Sequence, residues 1–309
     1  MIHRKKSFHS TGYLNDDGMI RRHRYFEFDV NNTQVISGQF STLSGQEIIV
    51  DWGDGSRSVY SGTDQEWSHD YGSAGNYVVR IFGSVALTKF KMNQSGADIS
   101  FDVANLPAGL TYVYCTGSNT ITGDIANLPA GITSFRCWGS NTITGDIANL
   151  PAAIANFSCW GSNTITGDIA NLPSGLTVFF CWGNGGVSGD LADLPAGMKS
   201  FVCRGNDVAV FGDLADLPAG IYYFDCGGIV SEYTGKTWTT KPGTFKLVPV
   251  SPGGLSTAEV DQLLIDFDAD LTWSSGDVIT LTGTNAARSS ASDAAVTNMT
   301  NEGATITTN

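Results

Sequence analysis

The sequence predicts a mainly β protein in which a small antiparallel β-sandwich precedes a stack of parallel strands and an α/β C-terminal cap. The central observation is a repeat, because Leu-Pro pairs return at a constant spacing that is one position longer only at the last step. A cysteine recurs in step with them, and the residues before it alternate between apolar and other side chains, as in a strand with one buried face. Glycine and proline interrupt the remainder of each unit and exclude a long helix there. The pairs begin at Leu106, Leu128, Leu150, Leu172, Leu194 and Leu217, and the cysteines are Cys115, Cys137, Cys159, Cys181, Cys203 and Cys226.

Residues 1–24 are a basic opening segment in an acidic chain. The chain has 30 acidic residues against 17 Lys and Arg and a formal net charge of -13, whereas this segment contains six of the basic residues and only Asp16 and Asp17. An acidic protein repels phosphate backbones, so no nucleic-acid partner is expected. No apolar stretch has the length of a signal peptide or a membrane span, so we expect neither ordinary secretion nor membrane insertion. Residues 1–24 are predicted to be either a solvated arm or an arm that docks the chain to other subunits of a larger assembly.

Residues 25–86 form the next predicted unit, a small antiparallel sandwich built from short β-rich runs such as FEFDV, EIIVDWG, SRSVYSG and NYVVRIFG. Within it, DWGDGS at 51–56 and HDYGSAGNYVV at 69–79 resemble the PKD family of immunoglobulin-like β-sandwiches. The resemblance covers about sixty residues and implies a spacer or adhesive module rather than an enzyme. Asp51 and Asp54 fit a tight turn, where carboxylates and glycines are common, and a cation site is the alternative.

Residues 87–230 contain the repeats, which follow the pattern apolar-x-x-apolar-x-Cys-x-x-x-Asn-x-Ile-x-Gly-Asp-Ile-x-x-Leu-Pro. A degenerate first copy has Leu87, Phe90 and Met92 at the strand positions. The pattern is similar to that of the leucine-rich-repeat family, with one extra residue before the asparagine, and NTITGDIANLP is close to the class that carries Asn-x-Leu-x-Gly-x-Ile-Pro. The resemblance implies a curved parallel solenoid whose strands stack about 4.8 Å apart.

Three polar or sulfur-containing residues recur once per unit, and each has a structural explanation. The cysteines are expected to form a ladder of buried free thiols, because a ladder does not converge on a metal ion and paired parallel strands give poor disulfide geometry. Asn119, Asn141 and Asn163 are expected to hydrogen-bond backbone groups at a turn. The aspartates after the glycines are expected to cap turns, with structural Ca²⁺ as the alternative, since stacked like charges repel unless solvated, hydrogen-bonded or bridged. These aspartates are Asp124, Asp146, Asp168, Asp190 and Asp213.

The side chains that point outward from the strands are the candidate binding residues. Burial of Phe135 and Cys137 turns Arg136 and Trp138 to the opposite face, which is the concave surface of the expected solenoid. A row of exposed tryptophans invites a partner, and its indole faces fit stacking on sugar rings or anchoring of a protein loop. Alternatively, the tryptophans stack only to stiffen the ladder, or another chain covers them in a homo-oligomer. The predicted binding residues are Tyr112, Tyr114, Arg136, Trp138, Trp160, Phe180, Trp182, Arg204 and Tyr223.

Residues 231–309 form the last predicted unit, in which the repeat decays into a divergent cap. KTWTTKPGTFKLVPV contains one more strand, STAEVDQLLIDFDADL has helical apolar spacing with Ser256 as N-cap, and VITLTGTN returns to strand alternation. A short second helix near residues 290–301 and a final strand at ATITT complete the unit. Such an ending is expected because the exposed edge of a stack needs protection.

The chain contains no motif that predicts catalysis. Its histidines, His3, His9, His23 and His69, precede the repeats, and no serine-hydrolase elbow, zinc-protease motif or phosphate loop occurs. An enzyme of another kind would need a carboxylate pair in a pocket, which a smooth sheet does not supply. The sequence therefore predicts a non-enzymatic recognition or adhesion protein without a cofactor.

Repeats of this kind resemble those of bacterial and phage surface proteins, and this similarity implies a location. Near-identical repeats, a basic arm and no signal peptide resemble a phage virion component, such as a tail fibre or receptor-binding protein that binds a host-surface protein or glycan. One alternative is a structural virion subunit whose tryptophan face is buried in assembly. The other is a bacterial cell-surface adhesin, which would place the chain at the extracellular surface of a cell.

Overall fold

A computed structural model describes residues 13–14, 20–21, 25–92, 98–183, 186–205 and 209–309. The predicted arm, residues 1–24, lies almost wholly outside the described residues, as do His3, His9 and His23. Within it, strands β1 (Tyr13–Leu14) and β2 (Ile20–Arg21) form a separate antiparallel pair. The fold is mainly β with a long, largely parallel sheet, as the sequence predicts.

Residues 25–86 contribute four antiparallel strands, of which two are much longer than the sequence predicts. The long strands pair with each other, and the short ones form a hairpin beside them. The long pairing continues through register shifts near Asn32, whose φ of 44° is positive, so the bulge bends the strand without ending it. The four strands are β3 (Tyr25–Thr42), β4 (Glu47–Asp51), β5 (Arg57–Ser61) and β6 (Gln65–Phe82).

The repeats contribute parallel strands whose register follows the sequence period. Cys137 pairs with Cys115 on one side and with Cys159 on the other, so equivalent residues of successive units, or rungs, are neighbours. The first two strands of this part also pair with β3, so the sheet passes from antiparallel to parallel without a break. The strands are β7 (Leu87–Met92), β8 (Asp98–Asp102), β9 (Tyr112–Asp124), β10 (Ser134–Asp146), β11 (Asn156–Asp168), β12 (Val178–Gly183), β13 (Val187–Asp190), β14 (Ser200–Arg204), β15 (Ala209–Phe211) and β16 (Tyr223–Cys226).

A column of stacked phenylalanines forms the centre of the parallel core. Neighbouring rings from β10 to the next strand after β16 have centroids 5.0 to 6.2 Å apart, and all these residues are fully buried. Burial of each such side chain stabilises the fold by about 1.5–3 kcal/mol. Leu87, Phe90 and Met92 are buried in β7, at the strand positions that the sequence assigns to them. The column consists of Phe135, Phe157, Phe179, Phe201, Phe224 and Phe245.

The C-terminal part adds three more parallel strands and two helices, each where the sequence predicts it. Ser256 caps the first helix in a capping box, in which its hydroxyl accepts from the Glu259 N–H and Glu259 accepts from the Ser256 N–H. The first helix buries Phe267 against Phe245, with ring centroids 5.1 Å apart. The elements are β17 (Thr244–Leu247), α1 (Thr257–Asp270), β18 (Val278–Leu281), α2 (Asp293–Asn301) and β19 (Thr305–Thr308). In the described ranges, no helix has the length and hydrophobicity that crossing a bilayer requires.

Candidate ligand-binding surface

Every second residue of the parallel strands points away from the phenylalanine core. The parallel register aligns these side chains in three rows, and the three rows together are called the outward face. All nine predicted binding residues lie in these rows. The first row contains Lys89, Tyr112, Ser134, Asn156, Val178, Ser200, Tyr223 and Thr244. The second row contains Lys91, Tyr114, Arg136, Ser158, Phe180, Val202, Asp225 and Lys246. The third row contains Thr116, Trp138, Trp160, Trp182 and Arg204.

The tryptophan row presents ring edges rather than free ring faces to solvent. Trp138, Trp160 and Trp182 are 38%, 38% and 42% exposed. Ring centroids lie 5.5 Å apart in the first pair, with planes at 27°, and 5.0 Å apart in the second, with planes at 50°. A sugar ring between two indoles would need two contacts of about 3.5–4 Å each, more than the rung spacing allows. Sugar stacking between neighbouring indoles is therefore excluded by their spacing, whereas stacking on the outer face of Trp138, beside Thr116, stays a prediction.

The indole N–H groups of the row differ in their partners. Trp138 Nε1 donates to Ser158 Oγ at 2.8 Å, and Ser158 is the second-row residue of the next rung. The corresponding residues for Trp160 and Trp182 are Phe180 and Val202, whose side chains have no acceptor. Consequently, neither of these two N–H groups has a hydrogen-bond partner among the described residues.

A partly buried ion pair ends the tryptophan row. Arg204 Nε donates to Asp225 Oδ1, and the guanidinium carbon lies 5.9 Å from the centre of the Trp182 ring. Burial raises the pKa of the Asp225 carboxyl, although Arg204 opposes the rise. Beside this pair, the rings of Phe180 and Tyr223 have centroids 5.5 Å apart. Removing one partner of a buried pair leaves the other charge uncompensated, so Arg204 and Asp225 act as a unit.

Arg136 has unsatisfied hydrogen-bonding capacity on the outward face. Its Nη2 donates to Asn156 Oδ1 at 3.0 Å, whereas its Nε is buried without a partner among the described residues. Ser134, in the first row of the same strand, likewise has a buried hydroxyl without a partner among them. Unpaired buried groups typically cost about 1–3 kcal/mol each, so this part of the surface is not optimised for stability alone.

Two lysines lie at the β7 end of the outward face. Lys89 forms an ion pair with Asp64, and its ammonium lies 5.0 Å from the centre of the Tyr112 ring. The hydrogen bond from Lys89 lowers the pKa of the Asp64 carboxyl. Lys91 lies 5.8 Å from the centre of the Tyr114 ring. Tyr112 and Tyr114 are therefore covered in part by cations, and the outward face is aromatic and basic at this end.

The six cysteines are buried free thiols, which confirms their predicted role. They are neighbours in register from Cys115 to Cys226, at an inward position of each strand. Burial raises the pKa of Cys181 and of Cys226 to about 12. At neutral pH these thiols are protonated and therefore poor nucleophiles and metal ligands.

Asn141 joins neighbouring rungs, as predicted for the repeated asparagines. Its Oδ1 accepts from the Ile121 N–H at 3.0 Å, and its Nδ2 donates to the Trp160 carbonyl at 3.0 Å. Asn163 repeats the first bond with Ile143, at 2.9 Å, but its Nδ2 has no partner among the described residues. The asparagines are buried and structural, so they lie outside the candidate surface.

The repeated aspartates cap turns, and this prediction is confirmed. Asp146 Oδ1 accepts from the Ala148 N–H at 2.9 Å at the start of a 3₁₀ turn, and Asp124, Asp168, Asp190 and Asp213 do the same in their units. Gly145 precedes the cap with φ of 119°, and a Cβ there would overlap Asp124 Oδ1 of the preceding unit. The Gly-Asp pair is thus required by close stacking. In the part of the chain that the structure describes, no group of three or more His, Cys, Asp or Glu side chains is placed to hold a metal ion.

The paired phrases of residues 25–86 meet around His69. Its Nε2 lies 2.8 Å from Asp54 Oδ2, and its ring stacks on Trp52 with centroids 4.6 Å apart. Partial burial raises the pKa of the Asp54 carboxyl, but hydrogen bonds from Ser56 and His69 outweigh it and lower the pKa to about 2. Asp51 accepts from the Gly53 N–H and pairs with Arg57. Both aspartates are therefore turn formers, as predicted.

A polar groove lies away from the outward face, between residues 234–237 and α1. Its volume is about 490 Å³, and no sequence pattern indicates it. Asp266 accepts from the Tyr233 hydroxyl and from Gln262, and Asp270 accepts from the Trp238 N–H. Because these carboxylates hold the loop against α1, the groove is explained by the packing of the cap.

The outward face therefore combines indole edges, free N–H donors and cationic side chains on strands whose backbone is fixed by pairing. No protein-family model matches the chain, and no curated protein is significantly similar to it.

Proposed function

We propose that the chain is a non-enzymatic recognition protein that binds a host-surface glycan or protein through the outward face. In this proposal it is a phage virion component, such as a tail fibre or receptor-binding protein. The observation that carries the proposal is the exposed row of Trp138, Trp160 and Trp182. Ordered aromatic side chains in contact with water are unfavourable by about 25 cal/mol per Å², and clustered ones commonly mark an interaction site.

The rigidity of the outward face supports recognition. Each row residue stands on a strand that pairs on both sides, and the indoles contact one another. A surface that is ordered before binding loses little conformational entropy on binding, which favours affinity. The same residues on loops would carry a larger entropic cost.

For the finer architecture, we propose a leucine-rich-repeat solenoid over residues 87–230, a PKD-like β-sandwich over 25–86 and a cap over 231–309. The in-register pairing of successive units and the aspartate-capped turns favour the solenoid. The contact of Trp52 with His69 favours the PKD-like unit, because it joins the two phrases on which the resemblance rests. A spacer, a repeat array and a cap form a sequence of modules suited to presenting a binding face.

The alternative function is a structural subunit whose tryptophan face is buried against another subunit or a second copy of the chain. The stacking of Trp138 on Trp160 favours this alternative, because stacked rings stiffen an array whether or not a ligand is present. A bacterial cell-surface adhesin is the alternative setting for the recognition function.

The test compares the wild type with a triple variant, Trp138→Ala, Trp160→Ala and Trp182→Ala, for binding to intact bacterial cells and to a glycan array. A matched control, Tyr25→Ala, Val59→Ala and Phe211→Ala, removes apolar side chains that are similarly exposed but lie outside the rows. Each tryptophan that acts as a hot spot contributes about 2 kcal/mol or more, so we expect the first variant to lose binding and the control to keep it. A wild type that binds neither cells nor glycans and self-assembles through the tryptophans would contradict recognition and support the structural role.

A further inference from the structure

The charges of the chain are distributed unevenly between the outward face and the remainder. After residue 24 the sequence has 28 of the 30 acidic residues but only 11 of the 17 basic ones. The three rows contain five of those 11 basic residues and a single acidic residue, Asp225. The outward face is thus a basic strip on an acidic protein. Its basic residues are Lys89, Lys91, Arg136, Arg204 and Lys246.

Three of these five cations form no close ion pair among the described residues, although Lys91 and Lys246 interact at longer range with the Asp64 and Asp225 carboxylates. Lys89 is paired with Asp64, and Arg204 is paired with Asp225. By contrast, Lys91 lies over the Tyr114 ring, and Arg136 donates to the neutral amide of Asn156. Lys246 is the register neighbour of Asp225, which already accepts from Arg204. Lys91, Arg136 and Lys246 are therefore the charges that remain available to an anionic partner.

The neutral groups of the outward face also favour a partner rich in acceptors. Trp160 and Trp182 have indole N–H groups with no partner among the described residues. The edge of an aromatic ring carries positive potential, and the stacked tryptophans expose their edges. Cations, free donors and ring edges all attract electronegative atoms.

We propose that the outward face binds an anionic polysaccharide that lies along the stack, across the strands. This inference rests on the recognition function proposed above and specifies its ligand class. Lys91 and Lys246 are seven rungs apart, or about 34 Å, with Arg136 between them, so an extended chain meets all three cations. Identical tryptophans on successive rungs present the same groups at a regular spacing, which suits a polymer of repeating units better than the irregular surface of an acidic protein.

The acidic remainder of the chain does not prevent this binding. At physiological ionic strength the Debye length is about 8 Å, so carboxylates on the far side of the core are largely screened from the ligand. Lys91, Arg136 and Lys246 lie in the contact layer, where direct hydrogen bonds to carboxylate, sulfate or phosphate groups are the strong, charge-assisted kind.

The experiment measures binding of the full chain to a panel of acidic polysaccharides and to the neutral form of each polymer. Polygalacturonate, alginate, hyaluronan, polysialic acid and heparin serve as probes, with esterified, carboxyl-reduced or desulfated counterparts. We expect at least one acidic polymer to bind at 0.15 M NaCl and its neutral form to bind at least about tenfold more weakly, since each charge-assisted contact accounts for about that factor. Raising the salt concentration weakens this binding further.

The test variant is Lys91→Gln, Arg136→Gln and Lys246→Gln, and Lys91→Gln with Lys246→Gln is a second variant that leaves the partly buried Arg136 intact. The control is Arg57→Gln, Arg80→Gln and Arg288→Gln, which removes the same charge from surface ion pairs outside the rows. We expect at least a tenfold loss for the first two, and less than about threefold for the control. Binding to none of the acidic polymers, or equal binding to the neutral forms, overturns the ligand class. If a neutral glycan or an acidic protein binds and the tryptophan variant does not, recognition survives and this inference fails.

Discussion

The strands of residues 112–226 and those of residues 244–308 pair in the same way but are connected differently. In the first region each unit returns through a capped 3₁₀ turn, so Phe135 pairs with Phe157 of the next unit. In the second region α1 and α2 occupy the return, and Phe245 pairs with Ile279 after a longer stretch of chain. Leu247 and Leu281 stand in register with Cys226, where the earlier units have cysteine. Parallel register and an apolar inward side chain are the constant features, whereas the return path and the inward residue vary.

The largest expected effect tests whether the two regions share one core. Phe157→Ala removes a buried ring that stacks on two other phenylalanines, and Phe245→Ala removes one that contacts Phe224, Trp238 and Phe267. Each change leaves a cavity and should lower the free energy of unfolding by about 3–5 kcal/mol. Urea denaturation followed by circular dichroism measures both. If Phe245→Ala lowers the free energy of unfolding several-fold less than Phe157→Ala does, the cap and the repeats do not share one core.

A smaller effect is expected from the asparagines that join rungs in both regions. Asn141→Ala leaves the Ile121 N–H and the Trp160 carbonyl unpaired, so we expect a loss of about 2–4 kcal/mol. Asn285→Ala should cost a similar amount, because its side chain accepts from the Leu255 N–H and donates to the Leu247 carbonyl.

Asn163→Ala is the internal control for this comparison, since its amide makes one of these bonds rather than two. Its expected cost is about 1–2 kcal/mol, measured by the same denaturation experiment. Equal losses at Asn141 and Asn163 would show that the bond to the Trp160 carbonyl contributes nothing to stability.

The smallest change expected from a single substitution concerns the loss of stability in alkali, to which the buried thiols of the repeats contribute. Burial raises the pKa of Cys137, Cys159 and Cys203 well above the usual 9.0. Above about pH 9 the unfolded chain releases thiol protons that the native chain keeps, so the free energy of unfolding falls as pH rises, by up to about 1.4 kcal/mol per pH unit for each thiol. Below that pH the thiols contribute no such dependence.

Denaturation between about pH 8 and pH 10 measures this slope. Cys159→Ala should reduce the slope by one thiol's share, whereas substitutions in the cap at Leu247 should leave it unchanged. An unchanged slope in Cys159→Ala would mean that the thiol does not retain its proton in the native chain.

Features that depend on residues close in sequence were predictable. The inward positions of Phe135 and Cys137, the aspartate caps and the Ser256 N-cap all follow from local spacing and turn chemistry. In the repeats, the spacing of equivalent residues along the sequence equals the spacing of register partners in the sheet. The pattern of one unit therefore also predicts which residues of the neighbouring units pair with it. This is why the cysteine-containing strand segments and the strands of the cap lie where the sequence predicts them. The continuation of β9, β10 and β11 to the Gly-Asp pair and the short strands β13 and β15 were not predicted.

Features that depend on contacts between units were not predictable to the same extent. Alternation placed Trp138 and Trp160 on the outward face, but the stacking that turns their edges to solvent follows from side-chain packing between rungs. The pairing of Arg204 with Asp225 joins residues 21 positions apart and carries no local signal. Similarly, β3 and β6 are long because bulges extend their pairing, whereas alternation alone suggested several short strands.

The residue-for-residue pairing of β10 with β11 also has a genetic consequence. Ser134–Trp138 and Asn156–Trp160 meet as equivalents, and each unit contacts mainly its immediate neighbours. After an in-frame duplication or deletion of one whole unit, each remaining unit would therefore still contact a neighbour of nearly the same sequence on both sides. Such a change would lengthen or shorten the array of strands, and with it the row of exposed tryptophans, while the same inward residues still packed against each other. The fold is thus compatible with more or fewer units than this chain contains.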